Sequence, residues 1–382
     1  MPTAPTPTIE FIFHGTGTSS SIPNVACLTD DPITCETCGS TLTPQGQKNK
    51  RRNTGGILRI PRDGDRPERV IVIDVGKTFL SAALDLFPRY GLRRIDAVLL
   101  THPHADAMNG LDDLRGWTLR GSIQDHIDIY VSAFTLREVQ RSFPYLVAKE
   151  FATGGGDIPE FRWHIIKENE PFRVEGIEFD ITPIAVHHGR LFTNDEAGPP
   201  GFTPTPNDTP GMSRTATPSR SRLGLHLHGS AAHSRHSSVE SLELRNSPSS
   251  PSINGQSLKI SEPAPGHVSV LQSQPTSAKP KPYMCYGFVV GDFMGALATA
   301  KRLGAKRTYM VGFGHSIPHS DWVSIGEALE GKVIGEQAKR PHVKKALEMV
   351  SPSKEVDGVW IRPAHDGLQV FADATKIWDA EQ

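Results

Sequence analysis

Thr101-His102-Pro103-His104-Ala105-Asp106-Ala107 follows directly on the apolar run Ile95-Asp96-Ala97-Val98-Leu99-Leu100 and leads into Met108-Asn109-Gly110-Leu111-Asp112-Asp113. A short leucine-rich and β-branched run bounded by a turn reads as a buried strand, so both histidines stand where a strand stops and a loop begins. Imidazoles at i and i+2, with a carboxylate two residues further on, bring borderline-soft nitrogen and hard oxygen into one small volume. That donor set suits Zn²⁺ or another divalent ion. A polar loop whose histidines bind nothing is the plainer reading of an isolated His-x-His. Here the preceding strand, Asp106 and the histidines farther along the chain outweigh it.

Upstream, Arg51 to Ile60 and Arg69 to Gly76 read as two strands joined by a polar turn at Arg62-Asp63-Gly64-Asp65. The second strand ends in Ile73-Asp74-Val75-Gly76. Asp74 is either a cap for a helix over Thr78 to Leu86 or a carboxylate that orients a metal-binding histidine, and the second role is preferred because bound imidazoles usually give their other N–H to a carboxylate or carbonyl. Before these, Thr8 to Phe13 alternates as a strand and enters His14-Gly15-Thr16-Gly17-Thr18-Ser19-Ser20-Ser21, a glycine and hydroxyl loop able to approach a metal or an anion closely. Downstream come helix over Asp112 to Leu119, strand over Ile127 to Val131, helix over Thr135 to Phe143, and alternation through several strands from Trp163 to Ile184. These lead to Ala185-Val186-His187-His188-Gly189.

At 382 residues, 37% of them apolar, the chain can bury a large core, as one big domain with extra material or as two domains. With 41 basic against 42 acidic residues the net charge is -1, so neither a general nucleic-acid coat nor a membrane-surface protein is indicated. Four cysteines are too few for a disulfide scaffold. Three of them, Cys27, Cys35 and Cys38, have metal-like spacing, and they would hold a structural Zn²⁺ if a fourth ligand came from elsewhere; otherwise they are free buried thiols. The N-terminal residues have no charged n-region or apolar h-region and no run approaches a membrane span, so the expected home is intracellular and reducing, the cytoplasm or the nucleus.

From 190 to 282 the composition turns to Ser, Pro, Thr, Gly and His and periodicity disappears, which predicts a disordered insert. Its Thr-Pro and Ser-Pro pairs suit kinases and protein partners, and His226, His228, His233 and His236 read as solvated. The insert divides a domain into an N-terminal half, 1–189, and a C-terminal half, 283–382. The second half reads as strand Tyr283 to Val290, helix Gly295 to Leu303, strand Arg307 to Phe313, the loop Gly314-His315-Ser316-Ile317-Pro318-His319, helices over Asp321 to Glu330 and Glu336 to Val350, and a closing hairpin, Val359 to Pro363 with Gly367 to Ala372, carrying His365 and Asp366 at its turn.

The Thr-His-x-His-x-Asp loop resembles the second motif of the metallo-β-lactamase superfamily of metallo-hydrolases. The continuation from Gly110 to Arg115 looks like the branch containing the cyclic-phosphate phosphodiesterases of phosphonate breakdown. The resemblance implies a four-layer αββα sandwich in the α+β class, with Asp74 and Asp106 in catalytic roles. It implies one ion held by His102, His104 and His188, with His187 as runner-up, and another held by Asp106, His315 and, as a substitute bridge, Asp292. A structural zinc would sit on Cys27, Cys35, Cys38 and His319. The ions would be Zn²⁺, Mn²⁺ or Fe²⁺, one or two of them catalytic. The implied reaction is hydrolysis of a small phosphodiester, or a related ester, by a metal-activated hydroxide; a catalytically impaired scaffold acting as a regulated interaction protein is the alternative. Two departures bear on the second ion. Ala107 stands where the fullest motif has a histidine, and the chain passes from Gly291-Asp292 almost directly to a helix.

Overall fold

Successive side chains of a strand point to opposite faces, and along Ile9–Gly15 (β1) Phe11 and Phe13 enter one apolar cluster while Ile12 enters another. Burial on both faces makes β1 an internal strand. In this computed structural model the described residues are 9–62, 64, 67–153, 157–184, 293–350, 360–373 and 375–381. The strands that follow are Gly55–Ile60 (β2), Arg69–Ile73 (β3), Ala97–Leu100 (β4), Ile127–Ser132 (β5), Phe161–Ile166 (β6), Thr308–Met310 (β7), Ile361–Pro363 (β8), Gln369–Ala372 (β9) and Ile377–Asp379 (β10). Eight of them form one sheet in the order β10-β9-β1-β2-β3-β4-β5-β6, and β7 pairs with β8 in a second.

Pairing is antiparallel from β10 to β3 and parallel from β3 to β6. Parallel neighbours need crossovers, and Phe79–Tyr90 (α1) and Ala133–Ser142 (α2) supply helices for them. α1 buries Phe79, Ala82, Ala83, Leu86 and Phe87, a helical stripe, and ends at Gly91, whose φ of 65° is the left-handed cap glycine favours. Three further helices, Phe293–Leu303 (α3), His319–Leu329 (α4) and Pro341–Val350 (α5), belong to the second half.

Three apolar clusters lie between four layers. Ile12, Ile57, Val72, Val98 and Ile129 of the large sheet meet Phe79 and Leu86 of α1 and Val139 of α2. The opposite face, through Phe13, Ile71 and Ile73, meets Val174, Ile177, Ala364 and the partly buried Tyr309 of β7. Beyond the small sheet, Ile361 packs with Leu297, Ile325, Leu329, Val343 and Val350 of α3, α4 and α5. The order is helix, sheet, sheet, helix, the expected αββα sandwich.

Three local expectations are corrected. The closing hairpin does not form: β8 pairs with β7, whereas β9 pairs with β1, so the turn carrying His365 and Asp366 crosses from one sheet to the other. Alternation from 163 to 184 gives a single strand, β6, followed by an isolated bridge between Phe172 and Ile181, because Phe172 and Ile181 pack onto the sheet face instead of extending it. The expected helix over Asp112 to Leu119 is a chain of short turns, Asp112–Leu114, Arg115–Thr118 and Leu119–Gly121, the last containing Arg120 at φ 53°. The strand expected at Tyr283 to Val290, the insert, and His187, His188 and Asp292 lie outside the described residues.

Candidate functional site

Parallel strands β3 and β4 end side by side, which brings Asp74 against Thr101. Asp74 takes a φ of 59°, an uncommon conformation that carboxylate residues tolerate better than most. Its side chain accepts from the Thr101 backbone N at 2.8 Å and from Thr101 Oγ1 at 2.7 Å. Thr101 Oγ1 also lies 2.8 Å from His102 Nδ1. Since that hydroxyl has one hydrogen and gives it to Asp74, it accepts from Nδ1–H, and this tautomer puts the lone pair of His102 on Nε2, the nitrogen nearer Asp106. Asp74 thus orients His102 through Thr101; the sequence pointed to the carboxylate and missed the hydroxyl between. Burial pushes the Asp74 carboxyl up to about 7, with the Thr101 hydrogen bonds opposing the rise.

His102, His104 and Asp106 each offer one ligand atom, and these atoms lie within 4.8 Å of one another. Nε2 of His102 is 3.9 Å from Asp106 Oδ1, and the two imidazoles stand edge to face with centroids 4.7 Å apart. The spacing i, i+2, i+4 converges because Ala105–Met108 forms one helical turn, capped by His104 in extended conformation. That turn is held from behind. Val75 N donates to Ala107 O at 2.7 Å and Gly110 N to Val75 O at 2.7 Å. A Cβ at Gly76 would lie 1.9 Å from Asp106 O, so only glycine allows this approach. On the open side Ser19 Oγ donates to Asp106 Oδ2 at 2.6 Å. His14 stands beneath the site and does not line it: its Nε2 lies 2.9 Å from Asp74 O, and burial lowers its pKa to about 4, which keeps it neutral.

The second cluster corrects the expected division between the two loop histidines. Cys27 Sγ, Cys35 Sγ and Cys38 Sγ lie 3.3, 3.5 and 3.7 Å from His315 Nδ1. A tetrahedral Zn²⁺ with about 2.3 Å bonds to sulfur and about 2.0 Å to nitrogen separates S from N by about 3.5 Å, so the four donors fit that ion. His315 is therefore with the cysteines. His319, expected there, packs its ring 5.6 Å from that of His365 and donates its backbone N to Asn49 Oδ1 at 2.7 Å. Burial lowers its pKa to about 3.

The cause is Arg51. Its guanidinium, 1% exposed, donates to Gly314 O and, at 3.0 Å, to Ile317 O, and it lies over Phe313. Gly312 N donates to Thr16 O at 2.9 Å. Held at both points, the loop turns His315 outwards to the cysteines, and His319 begins α4 on the inner side. Burial would raise the Cys35 thiol, but the Cys38 N–H, His315 and the neighbouring thiols outweigh it and bring it to about 7, while burial drives Cys38 up to about 12. A cavity of about 340 Å³ opens beside this cluster, lined by Thr34, Cys35, Glu36, His315, Ser316 and His342 among others. Asp366 accepts from Thr16 Oγ1 at 2.8 Å and Arg52 N at 2.9 Å, a structural role at the crossing turn.

Residues 69–215 match the family described as Beta-lactamase superfamily domain. The chain is 31% identical over 182 residues to an octanoyltransferase of Porphyromonas gingivalis (strain ATCC BAA-308 / W83), covering 47% of this chain and 31% of that protein. It thus spans about a third of the length of the curated relative it matches. Among solved structures it is similar to a diphosphatase from the PhnP family, at 25% identity with a TM-score of 0.32 over 43% of this chain and 53% of the other. It is also similar to the metallo-β-lactamase IND-7, at 23% identity with a TM-score of 0.18 over 32% and 45%.

Proposed function

We propose, from the match of residues 69–215 to the family described as Beta-lactamase superfamily domain, that the chain is a metal-dependent hydrolase of phosphodiesters or related small esters. The observation that carries this reading is the convergence of His102, His104 and Asp106 within 4.8 Å at paired strand ends. His102 and His104 would hold the ion with His188, which lies outside the described residues. A divalent ion in such a site lowers the pKa of a water to about 7 and neutralises charge building on the phosphoryl oxygens.

The protein's own part is orientation. Asp74 and Thr101 set the ring and tautomer of His102, and the Gly76 contact holds the Asp106 turn in place. With His315 among the cysteines, Asp106 is the candidate ligand for a second ion that remains among the described residues, and a single catalytic ion is the reading this geometry supports. Cys27, Cys35, Cys38 and His315 would hold a separate zinc with no open position, a structural site. The phosphodiester preference rests on the resemblance of the Gly110 to Arg115 stretch, and the octanoyltransferase relative supports an acyl ester as the second substrate class.

The test is hydrolysis of bis-p-nitrophenyl phosphate, and in parallel of p-nitrophenyl octanoate, with added Mn²⁺ or Zn²⁺, by the full chain and by His102→Ala. The expected result is turnover of the phosphodiester that His102→Ala abolishes. Full metal loading without turnover of either ester would favour the impaired scaffold, for which Ala107 and the placement of His315 are the supporting observations.

A further inference from the structure

Three loops, after β1, before β2 and after β3, meet beside Asp106, and they meet through hydrogen bonds. Ser19 Oγ reaches Asp106 Oδ2 at 2.6 Å. The other oxygen, Oδ1, is the one 3.9 Å from His102 Nε2. One oxygen is therefore held by a hydroxyl while its twin faces the imidazoles. Ser19 is itself fixed by its carbonyl, which accepts from Lys77 Nζ at 2.6 Å and from Asn53 Nδ2 at 3.3 Å. Asn53 is 1% exposed, and its amide also donates to Thr18 O at 3.1 Å and Ser21 Oγ at 3.1 Å and accepts from Thr78 N at 3.2 Å. The backbone of Asn53 donates to Thr78 Oγ1 at 2.8 Å, closing the frame.

We propose that Ser19 is a positioning residue for Asp106, carried on a frame made by Asn53 and Lys77, and that it orients the carboxylate towards the ion held by His102 and His104. This rests on the reading of those residues as an ion site. The choice of serine follows from charge. A hydroxyl donor fixes a carboxylate without neutralising it, whereas a lysine or arginine in its place would compete with the metal for the negative charge. A serine hydrogen-bonded to an exposed carboxylate for solubility alone would leave metal affinity untouched, and that difference is measurable.

The experiment uses the full chain and Mn²⁺ as the probe, titrated by electron paramagnetic resonance, beside steady-state hydrolysis of bis-p-nitrophenyl phosphate. Ser19→Ala is expected to bind Mn²⁺ about tenfold more weakly and to lose about tenfold in kcat with KM little changed, since a hydrogen bond to a charged group is removed. Ser19→Thr, which keeps the hydroxyl, is expected to restore both. Melting temperature and the zinc held by the cysteine cluster are expected to stay at wild-type values. His102→Ala separates the positioning role from the ion site itself. If it loses Mn²⁺ while Ser19→Ala binds as wild type does, the positioning role is overturned and the ion site stands. If His102→Ala keeps wild-type Mn²⁺ affinity, both are overturned, whatever the hydrolysis assay reads.

Discussion

A threonine hydroxyl carries the link between Asp74 and His102, and this defines what single substitutions should do. Thr101→Val leaves Asp74 Oδ2 without its 2.7 Å partner in a fully buried position, a loss worth about 1–3 kcal/mol. It also frees the His102 ring, so calorimetric metal affinity should fall together with melting temperature. His14 gives a pH signature. Its folded pKa of about 4 lies below the ordinary 6.5, so between those values the unfolded chain binds more protons than the folded one. Its contribution is complete above 6.5 and is lost as pH falls towards 4. Asp74 and Asp366 act in the opposite direction: raised by burial to about 7 and about 6, they bind more protons when folded and weaken the fold as pH rises from about 4. The His14 part is therefore read as a difference. Denaturant melts of wild type and His14→Gln should diverge most above pH 6.5 and converge towards pH 4, and parallel curves would contradict it. Asp74 was legible in the sequence as a carboxylate at a strand end. Thr101 was not, because a residue preceding a His-x-His motif gives no sign of which way its hydroxyl points.

At the level of elements, two loops hold the site in place. The Gly76 turn leaves no room for a side chain, since a Cβ there would meet Asp106 O at 1.9 Å. Gly76→Ala must displace the Ala105–Met108 turn, and a loss of metal affinity with far less effect on the Cys cluster is the expected outcome in a zinc titration. The 312–319 loop carries the largest difference between sequence and structure. His315 and His319 leave one strand end four residues apart, and spacing alone cannot say which imidazole turns which way. A buried guanidinium distant in sequence, Arg51, makes that choice by taking the carbonyls of Gly314 and Ile317. The assignment has a direct chemical test. His315→Ala should release one equivalent of zinc and lower the melting temperature, and His319→Ala should keep that zinc; the reverse pattern would restore the expected division.

For the whole molecule, the four layers were read from the family resemblance together with the alternation of strands and amphipathic helices. β1 sends Phe11 and Phe13 one way and Ile12 the other, and α1 carries its stripe of Phe79, Ala82 and Leu86. What periodicity could not give was pairing. β8 and β9 look like the two arms of a hairpin, yet each has a better-matched neighbour in a different sheet. The core between large sheet and α1 should be the stability centre: Leu86, 0% exposed, sits in the middle of it. Leu86→Ala should cost about 2–5 kcal/mol in a denaturant melt without altering metal content per folded molecule. Among the described residues no helix is long and apolar enough to cross a membrane.

We propose that one chain holds two chemically distinct ion sites, a closed cysteine site and an open histidine–aspartate site that performs hydrolysis. Elemental analysis of the full chain, His102→Ala and Cys38→Ala, run beside hydrolysis of bis-p-nitrophenyl phosphate, tests it most directly. Wild type is expected to carry one ion more than either variant, Cys38→Ala to lose zinc and melting temperature, and His102→Ala to lose its ion and turnover while keeping most of its stability. Equal metal content in all three proteins, or turnover by His102→Ala at the wild-type rate, would contradict it.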